Sequence, residues 1–139
     1  RTTIAGISLG LSKAAVELML WYGEERQQFG KPISDFQFIQ KMLADASAEY
    51  DAASSLVYRV AGMIAKKQKC TRMAASAKLF AAEAATRAGM SAIQVLGGYG
   101  YTREYPAERL MRDAKLMEIG AGTSEIMRHI IARDLRRGA

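Results

Sequence analysis

Cysteine and proline are scarce in this sequence of 139 residues, which contains one cysteine and two prolines. The lone Cys70 cannot form a disulfide within the chain, which favours a reducing compartment over secretion. Half of the residues are apolar and about a quarter are charged, so the composition also excludes a disordered chain and a collagen. What remains is a compact domain with a sizeable hydrophobic core.

Long hydrophobic runs and histidine are also rare. No uninterrupted apolar run approaches the ~18 to 20 residues of a membrane span, and residues 1–20 do not resemble a cleavable signal peptide. His129 is the only histidine, which leaves no histidine pair for a metal ion or a proton relay. We therefore predict neither a membrane segment nor a metal site.

Apolar residues recur at helical spacing through the first half of the chain. A first helix is predicted within residues 1–28, and a second runs from Ser34 to residue 66. Ser34 and Gln37 are predicted to form a capping box for the second helix, directly after Pro32. The apolar face predicted for the first helix comprises Ile4, Ile7, Leu11, Ala14, Leu18 and Trp21. That of the second comprises Phe36, Ile39, Leu43, Ala46, Tyr50, Ala53, Val57, Val60 and Ile64.

The second half of the chain contains a helix that is rich in alanine on one face, predicted over residues 71–96. Gly97 is predicted to end this helix in a left-handed conformation. An ordered loop continues through Tyr105, after which Pro106 begins a fourth helix over residues 107–117.

A last amphipathic helix is predicted to begin at Thr123 or Ser124. No segment shows the alternating pattern of a strand over a useful length. The predicted fold class is therefore all-α: a four-helix up-down bundle with a short extra helical segment at the carboxy terminus.

Two glycine-rich breaks separate the later helices, at Gly97–Gly100 and Gly120–Gly122. Backbone N–H groups beside helix ends suit an anionic or heteroaromatic ligand, but structural turns between packed helices have the same pattern. The first break follows a helix and not a strand, which excludes a Rossmann fingerprint.

The net charge of +6 favours a polyanionic partner. We interpret the densest basic cluster as a solvated junction between two helices. Its members are Lys66, Lys67, Lys69 and Arg72.

Three blocks of sequence resemble the carboxy-terminal domain of flavin-dependent acyl-CoA dehydrogenases. They are ERQQFGKPI at Glu25–Ile33, QVLGGYGYTREYP at Gln94–Pro106 and MRDAKLMEIGAGTSEI at Met111–Ile126. Their order and spacing match the family over essentially the whole chain. The resemblance implies that residues 1–139 are this helical-bundle domain, from an enzyme that also has an amino-terminal helical domain and a middle β domain.

The resemblance implies an FAD site that is shared between subunits. Residues implied to approach the ADP half of the neighbouring subunit's FAD are Arg26, Gln28, Phe29, Gln37, Gln94, Gly97 and Gly98. Residues implied to lie near the active site are Thr123 and Glu125, which contact FAD, and Arg1 and Gly122, which contact the acyl-CoA substrate. The basic excess suits both polyanionic ligands, and guanidinium groups pair well with pyrophosphate.

In this family a carboxylate removes the α-proton of an acyl-CoA thioester, while the β-hydrogen leaves as a hydride to the flavin. Many members carry the carboxylate as a glutamate directly before the Gly-Thr of the third block, where this chain has Ala121. A branch that includes isovaleryl-CoA dehydrogenase carries it before an arginine that aligns with Arg1. The phrase at Ile119–Glu125 resembles this branch. The base is therefore expected immediately upstream of Arg1, with no catalytic residue inside the chain.

The resemblance thus implies an oxidoreductase that desaturates a short or branched acyl-CoA in fatty acid or amino acid catabolism, and whose isolated 139-residue chain is inactive. It also implies a homotetramer, an electron-transferring flavoprotein as acceptor, and a bacterial cytoplasm or mitochondrial matrix, without a membrane or nucleic-acid partner. Two alternatives stay open: an FAD-containing family member that associates with DNA and lacks dehydrogenase activity, and a stand-alone helical assembly module. A glutamate directly upstream of Arg1 would favour the enzyme.

Overall fold

The computed structural model describes residues 1–138 and is built almost entirely from helices. A short antiparallel hairpin and a 3-10 turn connect the first two long helices. The elements in chain order are α1 (Thr2–Glu25), β1 (Gln27–Gln28), β2 (Lys31–Pro32), the 3-10 turn Ile33–Asp35, α2 (Gln37–Ala65), α3 (Thr71–Leu96), α4 (Gly98–Tyr101), α5 (Ala107–Ile119) and α6 (Ser124–Gly138).

Helix α3 lies at the centre of the bundle and packs against α1, α2, α5 and α6. Ala5 of α1 shares a core cluster with the first half of α3, whereas Tyr22 shares a second cluster with Leu96 at its end, so α1 and α3 run parallel. Val60 of α2 lies in the first cluster and Ala46 in the second, so α2 runs in the opposite direction. The predicted all-α up-down bundle is thereby confirmed.

The alanine-rich face of α3 allows its neighbours to approach closely. The seam is almost fully buried and consists of Ala74, Ala75, Ala77, Ala81, Ala82, Ala84, Ala85, Ala88 and Ala92. At Gly89 the approach is closer than any side chain permits, because a Cβ there would lie 2.7 Å from the Cα of Met111 on α5. Small residues on α3 therefore set the spacing between the helices.

The start of α2 differs from the predicted capping box. Ser34 lies in the 3-10 turn, and the helix begins at Gln37 with Phe36 in the N-cap position and no side-chain cap hydrogen bond. The backbone of Phe36 is extended, with φ of −91° and ψ of 133°, so the tight turn ends there and the longer helix cannot include Ser34. The capping-box prediction is wrong, although the rest of the predicted second helix is observed.

The buried face of α1 also differs from the prediction. The buried residues of this helix are Ala5, Ser8, Ser12, Ala15, Met19, Tyr22 and Gly23. Trp21, which was placed on the predicted core face, is 51% exposed, and Ile7 is similarly exposed. Small side chains make the buried face in the first part of α1, and Met19 and Tyr22 continue it towards the end of the helix, while Ile7 and Trp21 lie outside it. A second, half-exposed apolar face is the result.

Helix α1 is long and apolar enough to cross a membrane by length and composition alone, with a mean hydropathy of 1.4 over the relevant window. The core helix of a helical bundle satisfies the same criteria. Helix α1 packs against α3, although only 28% of this apolar window is buried.

The third predicted helix is confirmed at both of its ends, and the fourth and last helices begin where they were predicted. Besides the 3-10 turn, a single helical turn and a hairpin of two short strands were not predicted. The segment after Gly97 forms the single turn α4 instead of a loop, and the two-residue strands β1 and β2 form a hairpin. Both elements are too short to produce a periodic pattern in the sequence.

Candidate functional site

The carboxyl ends of α1 and α3 meet at a surface cleft, which we call the Arg26 cleft. Its volume is about 660 Å³, and its lining residues are Tyr22, Arg26, Val95, Leu96, Gly97, Gly98, Tyr99, Thr102 and Glu104. The cleft is supported by aromatic contacts, since the ring of Tyr105 lies 5.8 Å from that of Tyr22 and 5.5 Å from that of Tyr99. Three of the predicted cofactor residues, Arg26, Gly97 and Gly98, are therefore brought together.

The backbone at Gly97 ends α3 in a conformation that favours glycine. Its φ of 60° and ψ of −133° lie at positive φ but outside the left-handed helical region, so the predicted cap is right in the sign of φ only. The N–H of Gly97 donates to the carbonyl of Gln94 at 3.2 Å. A Cβ built at Gly97 or Gly98 meets no atom within 4 Å. Open space thus lies above the backbone of both glycines, where a ligand can approach.

The hairpin after Arg26 presents an exposed aromatic ring. Phe29 is 92% exposed and has a φ of 53°, which is a strained backbone conformation for a bulky residue. Its ring packs edge-on against Phe36 at 6.1 Å, and the Lys31 ammonium lies 4.5 Å from the centre of the Phe36 ring. Phe29 and Gly30 are the two loop residues of the hairpin and both have positive φ, so the tight turn accounts for this backbone conformation and leaves the ring of Phe29 exposed.

Three other predicted residues lie at the same end of the bundle and do not line the Arg26 cleft. Gln28 lies in the hairpin strand directly after Arg26, Gln37 is the first residue of α2, and Gln94 lies in the last turn of α3. All three side chains are exposed. We call these three exposed glutamines, which lie at the same end of the bundle as the Arg26 cleft, the polar rim.

The second glycine break connects α5 to α6 through strained backbone. Ala121 has a φ of 54° and Gly122 has a φ of 101°. A Cβ at Gly122 would lie 2.8 Å from the terminal methyl of Met127, so a side chain there would also be crowded. Ala121 itself is exposed, and its methyl group supplies no proton acceptor at the position where many relatives of the resembled family carry a glutamate.

Thr123 and Glu125 are organised at the start of α6. The Thr123 hydroxyl oxygen accepts a hydrogen bond from the backbone N–H of Ile126 at 3.4 Å, so Thr123 caps the helix. A hydrogen bond from its own backbone N–H and another from the Thr123 hydroxyl lower the pKa of Glu125. The hydroxyl of Ser124 is buried and has no hydrogen-bond partner in the described part of the chain. The hydroxyl of Ser12 on α1 is buried without a partner in the same way, so this feature is not confined to the second break.

Lys78, which lies beside the second glycine break, was missed by the sequence analysis. It is fully buried on α3, and its ammonium donates to the carbonyl oxygens of Gly122 at 2.8 Å and Glu118 at 3.2 Å. A signal for it was present, because Lys78 lies at helical spacing between Ala74 and Ala81 on the alanine-rich face. A charged residue inside an apolar stripe is rarely buried without a partner, so the stripe itself pointed to a polar contact.

The electrostatics of the second break are governed by burial and nearby carboxylates. Burial lowers the pKa of the Lys78 ammonium, while Glu118, Glu125 and Glu83 oppose this shift. Burial also opposes the ionisation of Glu118, but hydrogen bonds from Lys115 and Thr86 lower its pKa overall. The Lys115 ammonium lies 2.7 Å from the Glu118 carboxylate. Fixed opposite charges thus surround the glycine break.

The two candidate regions lie at opposite ends of the bundle. Lys78 marks the second break on α3, and the segment of α3 from Lys78 to Leu96 is about 27 Å long at about 1.5 Å per residue. Arg1, the exposed N-cap residue of α1, lies at the end that contains Gly122, because α1 and α3 are parallel and α5 is antiparallel to them. The structure therefore divides the predicted site residues into two groups.

The remaining surface shows no metal site within residues 1–138, since no group of three histidine, cysteine, aspartate or glutamate side chains converges there. The basic cluster at residues 66–72 is an exposed junction between α2 and α3, as interpreted from the sequence. One of its members, Arg72, is paired with Asp134 of α6 at 3.5 Å.

Comparison with known proteins gives a consistent result. Residues 1–136 match the family model described as "Acyl-CoA dehydrogenase, C-terminal domain". The "Probable acyl-CoA dehydrogenase YngJ" of Bacillus subtilis is 53% identical over 135 residues, which are 97% of this chain and 36% of the relative. The mitochondrial isovaleryl-CoA dehydrogenase of Oryza sativa is 48% identical over 135 residues, which are 97% of this chain and 33% of the relative.

The similarity extends to solved structures. Butyryl-CoA dehydrogenase from Megasphaera elsdenii superimposes with a TM-score of 0.96 and is 40% identical, with 97% of this chain and 35% of that chain covered. The chain therefore spans about a third of the length of the relatives that it matches.

Proposed function

Because this chain belongs to the acyl-CoA dehydrogenase family, as its carboxy-terminal domain, we propose that the full-length protein is an FAD-dependent enzyme that desaturates an acyl-CoA thioester between its α and β carbons. One observation carries this proposal. The Arg26 cleft lies at one end of the bundle, and the strained glycine break, to which Lys78 is hydrogen-bonded, lies at the opposite end. The named relatives are dehydrogenases, which favours this function over the DNA-associated alternative.

The Arg26 cleft fits the ADP half of FAD. Arg26 has no ion-pair partner among residues 1–138, so its guanidinium is free to pair with a pyrophosphate. Gly97 and Gly98 leave open space for close backbone approach. The exposed ring of Phe29 offers a flat surface beside the cleft. In this proposal Gln28, Gln37 and Gln94 supply hydrogen bonds from the polar rim.

The second break fits the reacting end of a flavin site. Thr123 offers a hydroxyl at the amino end of α6, where backbone N–H groups favour negative charge. The buried, unpaired hydroxyl of Ser124 shows that the local polar groups are not all satisfied by the chain itself. FAD, when bound, would accept the hydride from the β carbon. Thr123 and Glu125 would hold the cofactor in place, and Gly122 and Arg1 would line the thioester end of the substrate site.

The two ends are too far apart to serve one part of one cofactor. The intervening segment of α3 is about 27 Å long, and the glycine breaks lie at its opposite ends. We therefore assign the Arg26 cleft to the FAD of a neighbouring subunit and the second break to the chain's own active site. The half-exposed apolar face of α1, with Ile7 and Trp21, is compatible with burial against other parts of such an assembly.

The proton acceptor is proposed to be a glutamate immediately upstream of Arg1. Ala121 cannot act as a base, and Glu125 is directed to the helix cap by its hydrogen bonds from Thr123 and its own backbone. A residue directly before Arg1 would lie at the amino end of α1, at the same end of the bundle as Gly122. The positive end of the α1 dipole would help to keep a carboxylate ionised and ready to accept the α-proton.

The substrate class is proposed from the name of one of the relatives. A mitochondrial isovaleryl-CoA dehydrogenase at 48% identity supports a short or branched acyl chain. We further propose a homotetramer, an electron-transferring flavoprotein as acceptor, and a bacterial cytoplasm or mitochondrial matrix as location. We propose no membrane or nucleic-acid partner.

The cofactor assignment is tested with the full-length protein, from which FAD is removed and then titrated back. Arg26→Met is expected to weaken FAD binding about tenfold or more, because a charge-assisted hydrogen bond to phosphate contributes about 1.5 to 3 kcal/mol. Arg59→Met is the matched control, since Arg59 is exposed on α2 and lies outside the Arg26 cleft. Equal FAD affinity in both variants would contradict the assignment of the cleft.

A further inference from the structure

The burial of Lys78 requires an explanation beyond packing. Its side chain is 0% exposed and lies on the face of α3 that is otherwise alanine, among Ala74, Ala75 and Ala81. Removing an ammonium from water is costly unless the protein replaces its hydration with hydrogen bonds or opposite charges. A methionine or leucine at this position would avoid that cost, so the retained charge points to a specific task for Lys78.

The hydrogen bonds of Lys78 are directed to one short stretch of backbone. Its ammonium donates to the carbonyl of Glu118, in the last turn of α5, and to the carbonyl of Gly122, directly before Thr123. Carbonyls at the end of a helix lack intrahelical donors and carry partial negative charge, so a cation is well suited to them. Lys78 thereby ties α3 to both sides of the glycine break.

The charges that face Lys78 come from three helices. Glu83 lies on α3, Glu118 on α5 and Glu125 on α6, and all three raise the proton affinity of Lys78 against the effect of its burial. The cation of Lys115, also on α5, is paired with Glu118 at 2.7 Å. The ammonium is therefore bonded to backbone carbonyls, while carboxylates on three helices favour its charged form from a longer distance.

The break that Lys78 holds is the most strained backbone near the second candidate region. Ala121 and Gly122 both have positive φ, and Ala121 has a Cβ that disfavours this conformation. Such conformations persist only where surrounding contacts determine them. Among residues 1–138, Lys78 makes the only side-chain hydrogen bonds recorded to the carbonyls of Glu118 through Gly122.

We propose that Lys78 is a positioning residue, which fixes the backbone of Gly120–Gly122 so that Thr123 and Glu125 are presented to the flavin. Lys78 does not touch the cofactor in this account and acts through the carbonyls that it binds. The inference rests on the proposed function, because it takes the second break to be the flavin-contacting end of this chain.

The test uses the full-length flavoprotein and the variant Lys78→Met, which keeps the approximate length of the side chain and removes the charge. The expected result is about tenfold weaker FAD binding, the consequence of losing charge-assisted hydrogen bonds that orient the break. The visible absorption spectrum of the remaining bound flavin should also shift, because its surroundings change. Lys115→Met is the matched control: it removes the same charge beside Glu118 but no bond to the break, and should keep both the affinity and the spectrum.

The outcomes separate the two proposals. If the unmodified protein binds no FAD, the proposed function fails and this inference fails with it. If the unmodified protein binds FAD and Lys78→Met retains its affinity and spectrum, the inference is overturned while the proposed function stands. Should Lys78→Met not fold, Lys78→Leu, which also lacks a donor for the two carbonyls, is measured in the same way. Unchanged FAD affinity and an unchanged flavin spectrum in Lys78→Leu would then overturn the inference.

Discussion

The close contact between α3 and α5 at Gly89 gives a sharp test of the packing. A Cβ at position 89 would lie 2.7 Å from the Cα and 3.1 Å from the N of Met111, and both of these are backbone atoms that cannot rotate away. Replacing glycine by alanine inside a helix normally stabilises it by about 1 kcal/mol. Overpacking a core contact costs about 1 to 3 kcal/mol, and a backbone obstacle places the cost at the upper end. We therefore expect Gly89→Ala to destabilise the chain by about 1 to 2 kcal/mol.

The matched control for this prediction is Gly10→Ala. Gly10 lies inside α1, is exposed, and would place its Cβ more than 4 Å from other atoms. The same substitution should therefore stabilise the chain there by about 0.5 to 1 kcal/mol. Urea unfolding of the 139-residue chain, followed by circular dichroism, measures both free energies. A stabilising Gly89→Ala would refute the assigned contact between α3 and α5.

Three further predictions concern the contacts between helices. Met127→Ala should destabilise the chain by about 2 to 4 kcal/mol in urea unfolding, because this fully buried side chain joins α6 to α3. Arg87→Met should cost only about 0.5 to 1 kcal/mol, and less in high salt, because its 2.8 Å bond to Glu49 is partly exposed. The pKa of Glu118 is lowered on folding, so its stabilising contribution is present above its ordinary value of 4.5 and lost as the pH falls through the lower folded value. The stability difference between the unmodified chain and Glu118→Gln should therefore shrink in that acidic range, and a constant difference would contradict the shift.

The helical architecture could be predicted because its signals are local and repeated. The alanine-rich third helix has a periodic pattern over all of its length, and Gly97 ends it at the predicted residue. The start of α2 could not be predicted from Ser34 and Gln37, because the tight turn after Pro32 competes with the capping box and prevails. Local motifs decide a boundary only where no tertiary constraint opposes them.

The buried face of α1 shows a second limit of pattern reading. This helix has apolar residues around much of its surface, so periodicity alone does not select the face that contacts α3. The contact is made by Ala5, Ser8 and Ser12, because small side chains permit close approach, while Trp21 is half-exposed. The apolar pattern predicted that Trp21 would be buried, whereas the smaller residues of the neighbouring face are buried instead.

Three residues that line the Arg26 cleft were named from the sequence, but their arrangement was not. The sequence blocks identified Arg26, Gly97 and Gly98, and the structure brings these three into one cleft. The role of Lys78 depends on two carbonyl oxygens that lie far from it in sequence, so only the folded chain reveals it. The strain at Phe29 is likewise a backbone property that composition does not express.

The most direct test of the central claim is reduction of the bound flavin by substrate in the full-length protein. The purified protein is mixed anaerobically with short and branched acyl-CoA thioesters, and the flavin absorbance is followed. The account predicts that isovaleryl-CoA or a closely related thioester bleaches the flavin, and that replacing a glutamate directly upstream of Arg1 by glutamine abolishes the bleaching without releasing FAD. Bound flavin that no thioester bleaches would contradict the proposed dehydrogenase function.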